Sequence, residues 1–498
     1  MTAAAEGLLA VDSLVTRVAE VTAPATEAWA RLAAAVDDNL QPAALTSGIQ
    51  ALSDASGVGV GEVKLFLCLL AAYPLAFVWR KLPTATTKHL FSVTIGLWML
   101  QFVIGYQWLH IVLSSTIVYG ILLVGGPRAR VVAATVAMLY LSGGHIYRQY
   151  TDFLGWTLDW TMQQMIVTQK LHALAFNYWD GSPGANPSPD QKARSVAALP
   201  NPLEFFSFLL FPANVAIGPT FEVSDYLAFA NGAVVAPSGV TPALVRLGQG
   251  LVLLVTHQVI NALYPTFGLL EDKSFRESYN PFIRYAIIWL SLIGVRCKYY
   301  FGWKIAEGAA CLAGLGYAGI DKTTGAALWN RLENIDVIAY ETSQSLRNAS
   351  SNWNKTTNLW LRRYVYERVA PPSNLYVSYF VSAFWHGFYP GYYMFFLSVA
   401  VATSVHRNVR RCIRPRFLAA DGKSDGPGKG AYDVVSFIAT TLTLNYFIMS
   451  FVMLSWELSV ATFRSFYFAG HIAVVIGLLV FQLGLIRPPP KKLASKTS

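Results

Sequence analysis

Long apolar stretches recur through most of this chain, at residues 63–79, 90–106, 107–124, 131–147, 243–264, 282–295, 374–405, 434–456 and 466–486. Most of them approach the ~20 residues that a helix needs to cross a bilayer core. In hydrocarbon every backbone N–H and C=O must find its partner within the protein, which leaves helices and closed barrels as the spanning structures, and runs of this length favour helices. More polar stretches at 162–179, 203–221 and 301–320 read as further spans, re-entrant pieces or helices shielded by their neighbours. The expectation is an all-α, polytopic integral membrane protein with about eleven transmembrane helices. Composition agrees: 54% of residues are hydrophobic and 13% charged, where soluble domains carry about a quarter charged.

Basic clusters give the chain a direction. Arg80, Lys81 and Lys88 follow the first run, Arg128 and Arg130 follow two runs later, and Arg407, Arg410, Arg411, Arg414 and Arg416 stand two runs before Lys491, Lys492 and Lys496. An even number of crossings within each pair returns the chain to one side, so all four fit a cytosolic face. The acidic side chains Asp12, Glu20, Glu27, Asp37, Asp38 and Asp54 fit the opposite one. The net charge of +10 is this bias; no basic stripe interleaved with aromatics lies outside the runs, which argues against a nucleic-acid partner. The division expected is a polar, amphipathic N-terminal segment over 1–61, a transmembrane domain over 62–487 and a basic tail over 488–498. The start lacks the pattern of a cleaved secretory signal. Cys68, Cys297, Cys311 and Cys412 are scattered without metal-binding or disulfide spacing, so neither a zinc site nor a disulfide framework is expected. No internal repeat is visible, which removes the paired-repeat plan of many transporters.

One polar stretch, 320–373, interrupts the apolar rhythm. Within it, Trp353, Thr357, Trp360 and Tyr364 recur at helical spacing and predict one aromatic face, with Lys355, Arg362, Arg363 and Arg368 on the remaining sides. Guanidinium and ammonium groups suit phosphate-bearing substrates. An interfacial amphipathic helix touching lipid headgroups is an equally good reading of the same pattern. A second exception is His386 in Trp385-His386-Gly387-Phe388-Tyr389-Pro390-Gly391-Tyr392-Tyr393. An ionisable group at membrane depth is expensive unless it is used or satisfied.

These two segments together resemble the membrane-bound O-acyltransferase (MBOAT) family. The motif WHGFYPGYY, with Trp353-Asn354-x-x-Thr357-x-x-Trp360-Leu361-Arg362 upstream, is similar to the lysophospholipid acyltransferase branch. Trp179-Asp180 matches the Trp-Asp pair of that branch, and Tyr379 to Phe384 its Tyr-x-x-x-x-Phe pattern. Arg296-Cys297-Lys298-Tyr299-Tyr300, followed by Trp303 and Glu307, looks like its middle helix. One motif departs: the family's Tyr-x-x-x-Tyr-Phe-x-x-His appears with Phe463 at the first position and His471 at the last.

The resemblance implies an endoplasmic reticulum membrane enzyme enclosing a reaction tunnel, with acyl-CoA as co-substrate, no bound cofactor and no metal. His386 matches the family's catalytic histidine and Asn354 its catalytic asparagine. Contacts to substrate are expected from Trp353, Lys355, Thr357, Trp360, Arg362, Arg363, Trp385, Tyr389, Trp179 and Asp180. An imidazole with an ordinary pKa near 6.5 is suited to accept a proton from the glycerol hydroxyl of a lysophospholipid. The Asn354 amide can orient the imidazole or the hydroxyl, or stabilise an oxyanion. Acceptors of other kinds, a sterol, a diacylglycerol or a protein, stay open within the family. His110, His145, His172 and His257 stand outside these motifs and are expected to pack or support, and His471 to serve structure.

Overall fold

The computed structural model describes residues 26–37, 43–155, 157–419 and 424–488. Asp12, Glu20 and Asp38 of the acidic segment, and the lysines of the basic tail, lie outside the described residues. Among the described residues the regular structure is helical apart from an isolated bridge between Leu418 and Asp425 and one hairpin of two-residue strands in which Gly319 pairs with Leu328 and Ile320 with Ala327.

Thirteen helices frame the molecule: α1 (Val60–Lys81), α2 (Ala85–Ile104), α3 (Trp108–Gly125), α4 (Arg130–Thr151), α5 (Trp160–Asp180), α6 (Val240–Leu263), α7 (Pro281–Ala313), α8 (Lys355–Tyr364), α9 (Asn374–His386), α10 (Pro390–Cys412), α11 (Lys429–Met453), α12 (Trp456–Ser465) and α13 (Ala469–Gln482). Among the described residues, four helical stretches are long and apolar enough by length and composition to cross a membrane, Val60–Lys81, Ala85–Thr151, Val240–Glu271 and Lys429–Met453. The stretch Ala85–Thr151 contains α2, α3 and α4. A fifth arises if α12 and α13, bent by 79°, are taken as one broken span. On α6 only Ala243 and Gly250 are fully buried: one side packs along α7, with Ile260 against Gly294 and Gly250 against Ile305, and Leu244, Val252, Val255 and Val259 face outward. α5 is the reverse: it is buried along most of its length, including Gln163, Gln164, Gln169 and Lys170. That explains its polarity, since an interior helix can pair such groups with protein.

Three expected segments are redrawn. The stretches 282–295 and 301–320 were expected as separate elements, and 282–313 is one continuous helix. The polar residues read as an interruption are satisfied inside the protein: Arg296 gives two hydrogen bonds of 2.8 and 3.0 Å to the Glu341 carboxylate and one of 2.8 Å to Asn445 Oδ1. The run 374–405, expected as one span, is cut into α9 and α10 at Gly387–Tyr389. The polar stretch 203–221 holds only a short helix, Pro202–Leu209, before an irregular return.

Two capping patterns fix the ends near the centre. Asp159 caps α5 by accepting from the Thr161 amide at 3.0 Å, and Asn280 caps α7 by accepting from Phe282 at 2.9 Å. The hydrophobic core runs from α1 to α5 and into the second half of α7, with Trp79, Phe205, Phe208, Phe211 and Tyr226 fully buried. The four cysteines are buried as free thiols.

Candidate active site

His386 is the last residue of α9, and the helix stops there because Gly387 takes φ 121° and ψ −162°, a conformation closed to L side chains. Pro390 then starts α10 at a position where its missing N–H costs nothing. The break beside the histidine is therefore a helix end followed by a helix start. Gly391 lets α10 begin against the end of α11: its amide donates 2.8 Å to the Leu454 carbonyl, and a Cβ there would run into the Ser450 carbonyl oxygen and the Leu454 backbone. Gly391→Ala is expected to push α10 off α11 and lower turnover at least tenfold, a loss of the order that displacing reacting groups by a fraction of an ångström produces; acyl transfer by the purified variant checks it.

Aromatic rings enclose His386. Phe396 lies 5.1 Å away, nearly parallel at 22°, Phe451 stands edge-on at 5.2 Å and 88°, Tyr392 lies at 5.6 Å and Trp385 at 4.7 Å. The imidazole is half-buried, and among the described residues it makes no hydrogen bond. Its backbone, by contrast, is held firmly. His145 donates from Nε2 to the Trp385 carbonyl at 3.1 Å and packs its ring against Gly387. The Trp385 indole donates 2.9 Å to the Met165 carbonyl of α5. His386 is thus a fixed ring with free nitrogens.

The other histidines behave differently. His110 meets the Tyr140 hydroxyl at 3.0 Å and stacks on Trp160 at 4.3 Å; His257 donates to the Gly294 carbonyl at 2.9 Å. His172 is buried against Phe176, Trp360 and Tyr364 with Nδ1 unpartnered. His471 is 3.0 Å from the Tyr446 hydroxyl and 4.7 Å from the Phe463 ring, so the motif carrying Phe463 uses the ring and packs the break between α12 and α13.

Within the polar stretch 320–373, α8 packs into the protein interior. Thr356, Thr357, Trp360 and Tyr364 of α8 are buried, Gln169 of α5 donates 3.0 Å to Thr357 Oγ1, and Trp360 meets Trp385 at 5.9 Å. The aromatic face expected from the spacing needs one correction. Trp353 is not on it, because Asn354 adopts left-handed φ 43° and ψ 54° and the helix begins only at Lys355. Trp353 turns instead into a cluster with Tyr299, Tyr300, Trp303 and Tyr340, the rings 5.1–5.9 Å apart. Asn354 is half-buried, and among the described residues its amide makes no hydrogen bond, to His386 or to any other group. The amide does not orient the imidazole directly.

The expected basic side chains carry carboxylate partners. Arg363 donates 2.9 Å to Glu222, Lys355 2.6 Å to Glu333, and the exposed Arg362 2.7 Å to Glu367. Their charge is already largely neutralised, which lowers what they offer a phosphate. Trp179 lies under the Arg130 guanidinium at 3.7 Å, and Asp180 takes two hydrogen bonds from Arg368, at 2.9 and 2.5 Å. Both tie the end of α5 to α4 and to the turn after α8. Tyr389 accepts 2.8 Å from the Leu154 amide.

Beside α8 opens a small cleft lined by Lys170, Glu222, Arg331, Thr356, Trp360 and Arg363 among others. Glu222 was missed in the sequence and organises this wall: it accepts from Arg363 and from Asn177 Nδ2 at 2.8 Å and lies 2.7 Å from the Tyr364 hydroxyl. Burial first, and the Glu222 charge second, hold the Tyr364 phenol well above its usual pKa, so it stays a donor. Burial likewise raises the Asp225 carboxyl, against the Arg331 guanidinium beside it.

Residues 145–449 match the family described as MBOAT, membrane-bound O-acyltransferase family. A Schizosaccharomyces pombe lysophospholipid acyltransferase is 32% identical, over 89% of this chain and 90% of its own length. A Gallus gallus protein, membrane-bound glycerophospholipid O-acyltransferase 2, is 31% identical over 87% of this chain and 88% of its own. The Arabidopsis thaliana lysophospholipid acyltransferase 2 is 27% identical over 87% and 95%.

Proposed function

The chain belongs to the membrane-bound O-acyltransferase family, and from that membership we propose how this integral membrane enzyme works. It is a lysophospholipid acyltransferase, taking a fatty acyl group from acyl-CoA and placing it on the free glycerol hydroxyl of a lysophospholipid, in a tunnel opening through the endoplasmic reticulum membrane. The observation that carries the mechanism is the imidazole of His386, fixed through its backbone by His145 and Trp385 yet with its own nitrogens uncommitted.

In this reading the acceptor hydroxyl attacks the thioester carbonyl while His386 takes its proton. The C–S bond breaks as the new ester C–O bond forms, and the imidazolium returns the proton to the departing CoA thiolate. The thioester is already activated, so no acyl-enzyme is required. The rings around His386 keep water from competing as acceptor, and holding both reactants in line supplies much of the rate. The Asn354 amide, bonded neither to the imidazole nor to its own helix, keeps its donors for substrate: in this reading it donates to the carbonyl oxygen as negative charge develops there.

The test is to incubate the purified protein with acyl-CoA and a panel of lysophospholipids, following CoA release together with diacyl phospholipid. Matched release and product with at least one headgroup is expected. Labelling of a sterol, a diacylglycerol or a protein, with no phospholipid product, would overturn the choice of acceptor.

A further inference from the structure

An asparagine at a helix N-cap normally spends its side chain on its own helix, accepting from the N–H of the second or third residue. Asn354 occupies the N-cap of α8 and does not do this. The bond is made from elsewhere. Asn334 Oδ1 accepts from the Thr356 amide at 3.1 Å and from Thr356 Oγ1 at 2.8 Å, while the Asn334 carbonyl accepts from the Lys355 amide at 2.8 Å. Two residues on, the Asp336 amide donates 3.2 Å to the Asn352 carbonyl. The segment 334–336 therefore clamps the chain on both sides of residue 354.

That segment is itself anchored. Glu307 on α7, 1% exposed, accepts through Oε1 from the amides of Asn334 at 2.7 Å and Ile335 at 3.3 Å. Its other oxygen faces Lys304 at 2.9 Å and Arg246 at 3.3 Å, and Lys304 also donates 2.6 Å to the Ile335 carbonyl. Asn334 is 2% exposed. Such a buried, fully paired network has one low-energy arrangement, because losing any partner leaves a charge or polar group unsatisfied.

We infer that Asn334, seated by Glu307, is a positioning residue for acyl transfer: it caps α8 in place of Asn354 and so keeps the Asn354 amide free and in the left-handed conformation that turns it toward substrate. The left-handed backbone, disfavoured for L residues although asparagine tolerates it best, is held by the 334–336 clamp. This rests on the reading of Asn354 as a group that contacts the reacting thioester.

Four variants separate the two claims, Asn354→Ala among them, all measured as purified protein with acyl-CoA and a lysophospholipid substrate. Asn334→Ala lets Asn354 fold back onto its own helix, and kcat should fall tenfold to a hundredfold with both KM values within about twofold, the size of loss that misplacing a reacting group produces. Asn334→Asp keeps the Oδ1 acceptor and should recover most of the turnover. In the double variant Asn334→Ala/Asn354→Ala, kcat should be no lower than in Asn354→Ala alone, because a residue acting only through another adds nothing once that other is gone. Losses that multiply would show a general structural role and overturn the inference, as would an Asn334→Ala protein with normal kcat. If Asn334→Ala does not fold, Thr356→Val, which removes one of the two bonds at nearly constant shape, decides by the same kcat and double-variant criteria. Normal turnover in Asn354→Ala would instead overturn the catalytic reading.

Discussion

Replacing His386 by alanine is expected to lower acyl transfer by about 10²–10⁴-fold, the range that a positioned general base contributes, while the protein still inserts and binds acyl-CoA. The expectation follows from how the ring is held. Its neighbours Phe396, Phe451, Tyr392 and Trp385 supply van der Waals contact and no hydrogen bond, so the imidazole contributes little that alanine and a slight collapse of the rings would not replace structurally. The helix end is secured by Gly387 and by the His145 bond to the Trp385 carbonyl, neither of which uses the His386 side chain. A loss in kcat with unchanged acyl-CoA retention is therefore the signature, read from turnover beside a binding measurement with a non-hydrolysable acyl-CoA analogue. Near-normal turnover would rule the residue out as the base.

Asn354→Ala is the second large effect, with an expected loss of about 10²–10³-fold in kcat, as for removal of one oxyanion donor. The backbone adds its own contribution, since alanine holds φ 43° less readily than asparagine does. Asn354→Gly separates the two. Glycine relaxes the left-handed strain and still lacks the amide, so it should be as inactive as alanine while being the more stable of the two in thermal unfolding. Asn354→Asp replaces the donor by an acceptor at the same place and should be inactive if the amide donates to the carbonyl oxygen; activity close to wild type would assign it to accepting from the acceptor hydroxyl.

What was legible in the sequence and what was not divides along physical lines. Length and apolarity revealed helices long and apolar enough to span a bilayer, such as 63–79 and 434–456, because the bilayer imposes that pattern locally. The run through 374–405 hid a break because Gly387 and Pro390 state only that a helix is weak there; the φ of 121° that ends α9 at Gly387 and the close approach of Gly391 to Leu454 that seats the start of α10 exist only in the folded chain. The opposite error, splitting 282–313, came from the charged residues Arg296 and Lys298 between the two runs; the partners of Arg296, Glu341 and Asn445, are invisible to a local reading of polarity. Helical spacing placed Thr357, Trp360 and Tyr364 on one face, and missed Trp353 because a single left-handed residue at Asn354 resets the phase. The basic residues Arg363 and Lys355 looked available for phosphate since Glu222 and Glu333 lie far from Arg363 and outside the helical repeat of Lys355. Asn334 had no signal at all: one asparagine in a loop shows nothing until the helix it caps is folded beside it.

The most direct test of the account is a single-turnover experiment in two steps. Purified protein is loaded with acyl-labelled acyl-CoA in the absence of acceptor, and a lysophospholipid is then added. One-step transfer with His386 as base predicts no CoA release and no label on the protein before the acceptor arrives, then CoA and diacyl phospholipid appearing together in equal amounts. A burst of CoA before the acceptor is added, with the acyl group covalently held by the protein, would contradict it.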